Sequence, residues 1–250
     1  ADPAAPCKLP NNFVSDPALK LVVARTVEAG LRGRLSGSQS WSLAAYRTQL
    51  QDDIQFISAG GVASNAGYFQ NVGDTRRQGL EAALGKRWGR FAASARFSYV
   101  DATYQSPFVV NAPANSSADA AGNIQVRPRH RIPGIPAHSI KLRFQYDFGE
   151  QASLGANIHY SGAVFARGDE SNQDANGRVP GYTVVNLDGR YQLSRGVELF
   201  GRVANLFDRR YANFGVLAHN WFTGPGNSYD GSNPISEQFR GPGAPRGIWV

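Results

Sequence analysis

Few side chains in this 250-residue chain are spaced for reaction chemistry. Asp52 and Asp53 invite an acid–base reading, because proton transfer in an active site commonly uses carboxylates. They fall within a stretch that reads as a strand, so they point to opposite faces, and no His or nucleophile stands near them. The four histidines, His130, His138, His159 and His219, have no ligand-like spacing with Cys or acidic residues. Cys7 has no second cysteine to pair with inside the chain. No glycine-rich loop stands between a strand and a helix in the manner of a phosphate cradle. Catalysis, a metal and a cofactor are therefore not expected. Binding chemistry is better represented: Arg127, Arg129, His130 and Arg131 form a basic cluster, and Trp221, Phe222 and Tyr229 supply aromatic surface. Basic and aromatic groups together suit a bulky anionic solute such as a chelate.

The elements that carry these groups are pleated. From Ser139 to Phe148, Ser139, Lys141, Arg143, Gln145 and Asp147 alternate without interruption with Ile140, Leu142, Phe144, Tyr146 and Phe148. Period two over that length makes a strand with one polar and one strongly apolar face. The same rule organises Thr26 to Leu35, Phe91 to Tyr99, Ser153 to Tyr160 and Val184 to Leu193. Trp41 to Ile57 and Tyr68 to Trp88 read as longer, less regular strands of the kind that carry a bulge. Val197 to Phe207 is an eighth strand, and Arg246 to Val250 begins a ninth, too short to cross a bilayer.

Connections alternate in length. Ser36 to Ser40, Gly89 with Arg90, Gly149 to Gln151 and Ser194 to Gly196 are tight, Gly- or Ser-rich turns. Between them lie long links over 59–66, 106–136, 167–180 and 208–244. Short turns at one end and long loops at the other characterise bacterial transmembrane barrels. Trp41, Trp88, Phe91, Phe148 and Tyr191 cluster beside the short turns, as an interfacial aromatic girdle would.

Composition agrees. Gly 28, Pro 14 and no Met favour turns and strands over long helices. No apolar run approaches a membrane-spanning helix. A mean hydropathy of -0.36 is compatible with a barrel, since alternate side chains face a wet lumen. The net charge of +7 is scattered over short Lys/Arg groups without a continuous basic stripe, so nucleic acid is not an expected partner.

Three stretches resemble TonB-dependent receptors of the bacterial outer membrane. Asn205-Leu206-Phe207-Asp208, followed by Tyr211, is similar to a penultimate-strand signature of that family. Tyr68, Asn71 and Gly73, leading through Arg76 and Arg77 to Gly79 and Glu81, resemble its Tyr-x-Asn-x-Gly and Gly-x-Glu pattern. Pro245 to Val250 is similar to the start of its final strand. The resemblance implies an all-β, antiparallel transmembrane barrel, of which this chain is about nine C-terminal strands out of about 22. It implies an extracellular loop over residues 1–23 and strands over 24–250. A plug domain, the box for the coupling protein, the first half of the barrel and a terminal aromatic are absent from the sequence. It further implies an outer-membrane location and active uptake of a scarce solute such as an iron chelate. The implied partners are the TonB energy-coupling protein, engaged through the missing N-terminal region, a small-molecule ligand, outer-membrane lipid and lipopolysaccharide. A passive porin or small self-contained barrel, and a soluble β-sandwich that binds glycans, are the alternatives.

Overall fold

The computed structural model describes residues 17–35, 38–58 and 67–250. Cys7, most of the expected N-terminal loop, part of the first tight turn and the 59–66 link lie outside the described residues. The strands, in chain order, are β1 (Val23–Leu35), β2 (Gln39–Gln51), β3 (Ile54–Ser58), β4 (Gly67–Asn71), β5 (Thr75–Trp88), β6 (Phe91–Tyr104), β7 (Phe108–Asn111) and β8 (Asn123–Val126). They continue with β9 (His138–Asp147), β10 (Ala152–Ser161), β11 (Tyr182–Ser194), β12 (Val197–Ala204), β13 (Ala212–Asn220), β14 (Ile235–Pro242) and β15 (Gly247–Trp249). Among the described residues nine of them form one antiparallel sheet, in the order β1-β2-β5-β6-β9-β10-β11-β12-β15.

Register carries the alternation from strand to strand. Leu31 lies opposite Leu43, Leu43 opposite Ala82, Ala82 opposite Phe97, Phe97 opposite Ile140, and Ile140 opposite Tyr160. The next row, Arg32, Ser42, Ala83, Arg96, Lys141 and His159, faces the other way. A slip of one residue in any pair would mix the two faces, so the pattern specifies the pairing. Leu31 is 69% exposed and Leu43 50%, with Leu84, Phe148, Tyr191 and Leu199 comparably bare. In water such a patch would be a liability; against lipid it is the contact surface.

The polar face is bound together side chain to side chain. Arg143 on β9 passes over Gly155 of β10 and forms a two-pronged pair with Asp188 on β11. A Cβ on Gly155 would collide with that guanidinium, so the glycine is what lets it lie flat. Asn157 donates to the same carboxylate at 3.0 Å.

Buried apolar side chains gather at the long-loop end, on the last residues of β6 and in the segments beyond the sheet. One cluster joins Val72, Ala102, Tyr104, Val110, Ala112, Ile124, Val126 and Ile132; a second joins Ala114, Val164, Ala166, Val179 and Leu217. The hairpins β3–β4, β7–β8 and β13–β14 project from this end.

Three expectations need correction. The long strands over Trp41 to Ile57 and Tyr68 to Trp88 are each split, at Asp52–Asp53 and at Val72–Asp74, and Asp52 and Asp53 terminate a strand instead of lying within one. The cause is a left-handed Asp52 (φ 52°) and Gly73 (φ 83°), combined with the hydrogen bonds of Asp53 described below. β12 ends at Ala204, short of Phe207, because Asn205 adopts φ 49°. Finally, most of the 208–244 link is the regular hairpin β13–β14.

Candidate functional site

The loop end is a single hydrogen-bonded crown. Asp53, 6% exposed, accepts from Thr75 Oγ1 at 2.6 Å, from Arg77 Nη2 at 3.1 Å and from the Ile54 N–H at 2.9 Å. Its backbone exchanges hydrogen bonds with Val72 and Gly73, which closes the base of the β3–β4 hairpin. This satisfied carboxylate is a clamp, and its neighbour Asp52 sits 3.6 Å from Lys20 Nζ.

The 167–177 segment is the keystone of the crown. Asp169 is buried, and its Oδ1 accepts from the N–H groups of Gln173 and Asp174 at 2.9 and 3.1 Å. Asp174 accepts from the Ser116 N–H at 2.9 Å, and Asn115 donates to the Gly168 carbonyl at 2.8 Å, so this turn holds the loop beyond β7. Asn172 accepts from the Arg131 N–H at 2.6 Å, and Arg167 exchanges backbone hydrogen bonds with Gly215 and Leu217 of β13. Burial raises the Asp169 carboxyl above its usual range, against the pull of those donors.

Where the segments meet they enclose a cavity of about 280 Å³, lined by Phe56, Tyr104, Pro133, Arg167, Glu170 and Phe214 among others. The Arg167 guanidinium stands 5.6 Å from the Phe56 ring centroid. Glu170 is half-buried, its carboxyl pushed up by desolvation although the Gly168 N–H donates to it at 3.1 Å. Such a chamber offers a cation, an aromatic face and a carboxyl that gains a proton readily.

The basic cluster divides. Arg127 and Arg129 are exposed, Arg129 with φ 77°. His130 is half-buried, its Nδ1 accepting from the Arg127 N–H at 3.2 Å, and desolvation lowers its pKa. Arg131 is engaged elsewhere, 3.3 Å from Asp101 and donating to the Val100 carbonyl at 2.7 Å. The aromatic group stays together at the tip beyond β13. The Trp221 and Tyr229 rings stack at 6.5 Å between centroids, and Phe222 meets Tyr229 edge-on at 6.1 Å. No hydrogen bond, ion pair or ring contact joins the basic stretch to the aromatic tip among the described residues.

Residues of the family-like stretches take structural positions. Tyr68 packs on the first buried cluster. Asn71 donates to the Asp52 carbonyl at 2.6 Å and accepts from the Lys20 N–H at 2.8 Å. Gly73 would strike Ser106 if it carried a Cβ, and Gly79 would strike the Tyr99 carbonyl. Glu81 lies between Ala44 and Ser98 on the polar face. Buried Asn205 donates to the Arg209 and Ala244 carbonyls, both at 3.0 Å, and accepts from the Arg209 N–H at 2.8 Å. The Leu206 N–H reaches the Val185 carbonyl at 2.8 Å, whereas the Phe207 ring is 73% exposed. Asp208 accepts from the Arg246 N–H at 3.0 Å, and the Tyr211 ring packs at a tilt against Tyr182, 4.4 Å between centroids. Together they lash the end of β12 to the lead-in of β15.

Sequence reasoning missed Phe56, Arg167 and Glu170, because the cavity assembles segments far apart in the chain. A partial signal existed for the keystone: short polar residues at 169, 171, 172, 174 and 176 before Gly177 are those that bond to nearby backbone.

An antiparallel arc with an apolar outer face, a polar inner face and a packed crown of long loops defines part of a transmembrane β-barrel. The chain belongs to the TonB-dependent receptors: residues 6–206 match the model of the "TonB dependent receptor-like, beta-barrel" family. It is similar to the metal-pseudopaline receptor CntO of Pseudomonas aeruginosa, 29% identical over 193 residues, which cover 75% of this chain and 24% of that protein. It is also similar to the probable TonB-dependent siderophore receptor PiuA of Acinetobacter baumannii, 26% identical over 211 residues, 84% of this chain and 26% of PiuA. Among solved structures, the copper transporter OprC superposes with a TM-score of 0.62 at 19% identity, over 93% of this chain and 31% of OprC. The chain thus spans about a quarter of the length of the curated relatives it matches.

Proposed function

We propose that this chain is the C-terminal portion of an outer-membrane receptor that takes up a scarce solute, such as an iron chelate, by active transport coupled to TonB. The observation that carries the reading is the pairing of a lipid-compatible outer face with a rigid loop crown bearing guanidinium and aromatic groups. The names of CntO and PiuA, a metal-pseudopaline receptor and a probable TonB-dependent siderophore receptor, support a metal-bearing solute of this kind. In this reading the barrel resides in the bacterial outer membrane and the protein is not an enzyme. TonB engages a region outside this chain.

Solute capture is assigned to Arg127, Arg129 and His130, to the Trp221, Phe222 and Tyr229 tip, and to the Arg167 chamber. Arg131 serves the crown through Asp101. The test is binding and uptake by the full-length receptor against ferric chelates, cobalamin and oligosaccharides, with and without TonB. Energy-dependent uptake of a chelate, weakened at least about tenfold by joint Arg127→Gln, Arg129→Gln and Trp221→Ala replacement, is the expected result. Uptake that proceeds equally well without TonB would instead make the protein a passive pore.

A further inference from the structure

The crown chamber holds two opposite charges that do not meet. Arg167 and Glu170 both line it, yet no ion pair joins them, or ties either to another partner, among the described residues. The exposed Arg167 guanidinium stands over the Phe56 ring, while one Glu170 oxygen accepts from the Gly168 N–H. Backbone bonds fix this arrangement. Arg167 is locked to Gly215 and Leu217 of β13, and Asp169, between the two charges, is pinned by the Gln173 and Asp174 N–H groups. Opposite charges held on a rigid frame without closing on each other are prepared for a guest.

A third group points the same way. Tyr104 is 2% exposed and its ring packs edge-on against Phe108 at 5.0 Å. It lines the chamber, and its hydroxyl has no hydrogen-bond partner among the described residues. Burying a hydroxyl without a partner is costly, and a guest that accepts its hydrogen bond removes the cost. The Tyr104 backbone is held on both sides, accepting from the Arg129 N–H at 2.8 Å and donating to the His130 carbonyl at 2.9 Å.

Charge and size then select the guest. A wholly anionic group would gain Arg167 and suffer Glu170, and a wholly cationic one the reverse; a group carrying both signs is favoured by both. The volume of about 280 Å³ lies below the roughly 300–1,000 Å³ of pockets that enclose a drug-sized ligand, so the chamber fits one end of a solute. Its Phe56, Pro133 and Phe214 walls suit an apolar stem.

We propose that the chamber binds a zwitterionic α-amino-carboxylate headgroup. Its carboxylate accepts from Arg167 and the Tyr104 hydroxyl, its ammonium donates to the other Glu170 oxygen, and its stem lies against the aromatic walls. Resting on the uptake reading above, that headgroup is one end of the imported solute, and the three side chains sort zwitterionic chelates from wholly anionic ones.

The test titrates the full-length receptor in nonionic detergent with three probes: L-phenylalanine, N-acetyl-L-phenylalanine, which lacks the ammonium, and L-phenylalanine amide, which lacks the carboxylate. Wild type should bind the amino acid at least about tenfold more tightly than either derivative, the worth of one charged hydrogen bond. Glu170→Gln should erase the preference over the N-acetyl form and keep that over the amide; Arg167→Gln should do the opposite. Glutamine still accepts from the Gly168 N–H and Arg167 has no ion pair to lose, so both variants keep the crown. A merely structural role for either residue would lower all three affinities together. Equal binding of the three probes, binding of none, or wild-type preferences in both variants would overturn the proposal. TonB-dependent uptake of a ferric chelate by a receptor that ignores all three probes would keep the transport reading and remove this one. Charge-selective binding in the expected pattern without any uptake would keep the chamber and remove the transport reading.

Discussion

Asn205 joins three segments at once: the end of β12, the turn at Arg209 and the approach to β15 at Ala244. Its left-handed backbone is one that asparagine tolerates better than most residues, so conformation and hydrogen bonding both select it. Asn205→Ala leaves two carbonyls and an N–H without partners, and should destabilise the folded receptor by about 2–4 kcal/mol in a urea titration. Asn205→Gly should recover only the backbone part; full recovery would show that the side-chain bonds count for little. Glu170 makes a different prediction. Desolvation raises its carboxyl in the folded state, so the folded crown binds its proton more tightly than the unfolded chain does. Its contribution is fully present below the ordinary carboxylate range and is lost as pH rises through the elevated folded value. Buried Asp169 acts in the same direction, and His130, lowered by burial, in the opposite one as pH falls. Hydrogen exchange across 167–177 should accelerate as pH is raised from that range, after correction for the intrinsic rate, and Glu170→Gln should flatten the dependence. A Gln variant with the wild-type slope would remove Glu170 as its source.

Between strands, the two faces make unequal demands. Leu142→Arg places a charge on the lipid side near mid-strand and should cost about 2–4 kcal/mol of barrel stability in detergent or lipid. Ser42→Arg, on the exposed polar face, should cost almost nothing. Equal costs would mean that the apolar face does not meet lipid. The β3–β4 hairpin depends on Asp53 in a comparable way. Asp53→Ala strands Arg77 and Thr75 and should open the hairpin by about 2–4 kcal/mol, seen as faster proteolysis within 54–71 while the sheet stays intact. β9 was legible in the sequence because its alternation is unbroken from Ser139 to Phe148. The break at Asp52–Asp53 was not, because what ends the strand is a set of bonds to residues 22 and 24 positions away. The site divides in the same manner. Trp221 and Tyr229 stand out by residue type alone, whereas Arg167 and Glu170 gain meaning only from the segments folded around them. Inward or outward orientation of Arg131 likewise depends on its bridge to Thr103, which no local pattern announces.

Among the described residues the usual order is inverted: the water-excluding core lies at the loop end, while the sheet presents its apolar side chains outward. The crown is therefore held by burial from water and the arc by its solvent and its strand pairing. Denaturant should loosen the 110–135 and 162–181 segments before the sheet, giving two transitions by hydrogen exchange in the full-length receptor; one coincident transition would show the two parts to be inseparable. The inner wall carries one further consequence. Arg143 lies flat only because Gly155 beneath it is bare, so any bulk at that position would tip the long side chain toward the central axis. Gly155→Ala would then narrow the bore by displacing Arg143, turning one missing methyl into a control on calibre.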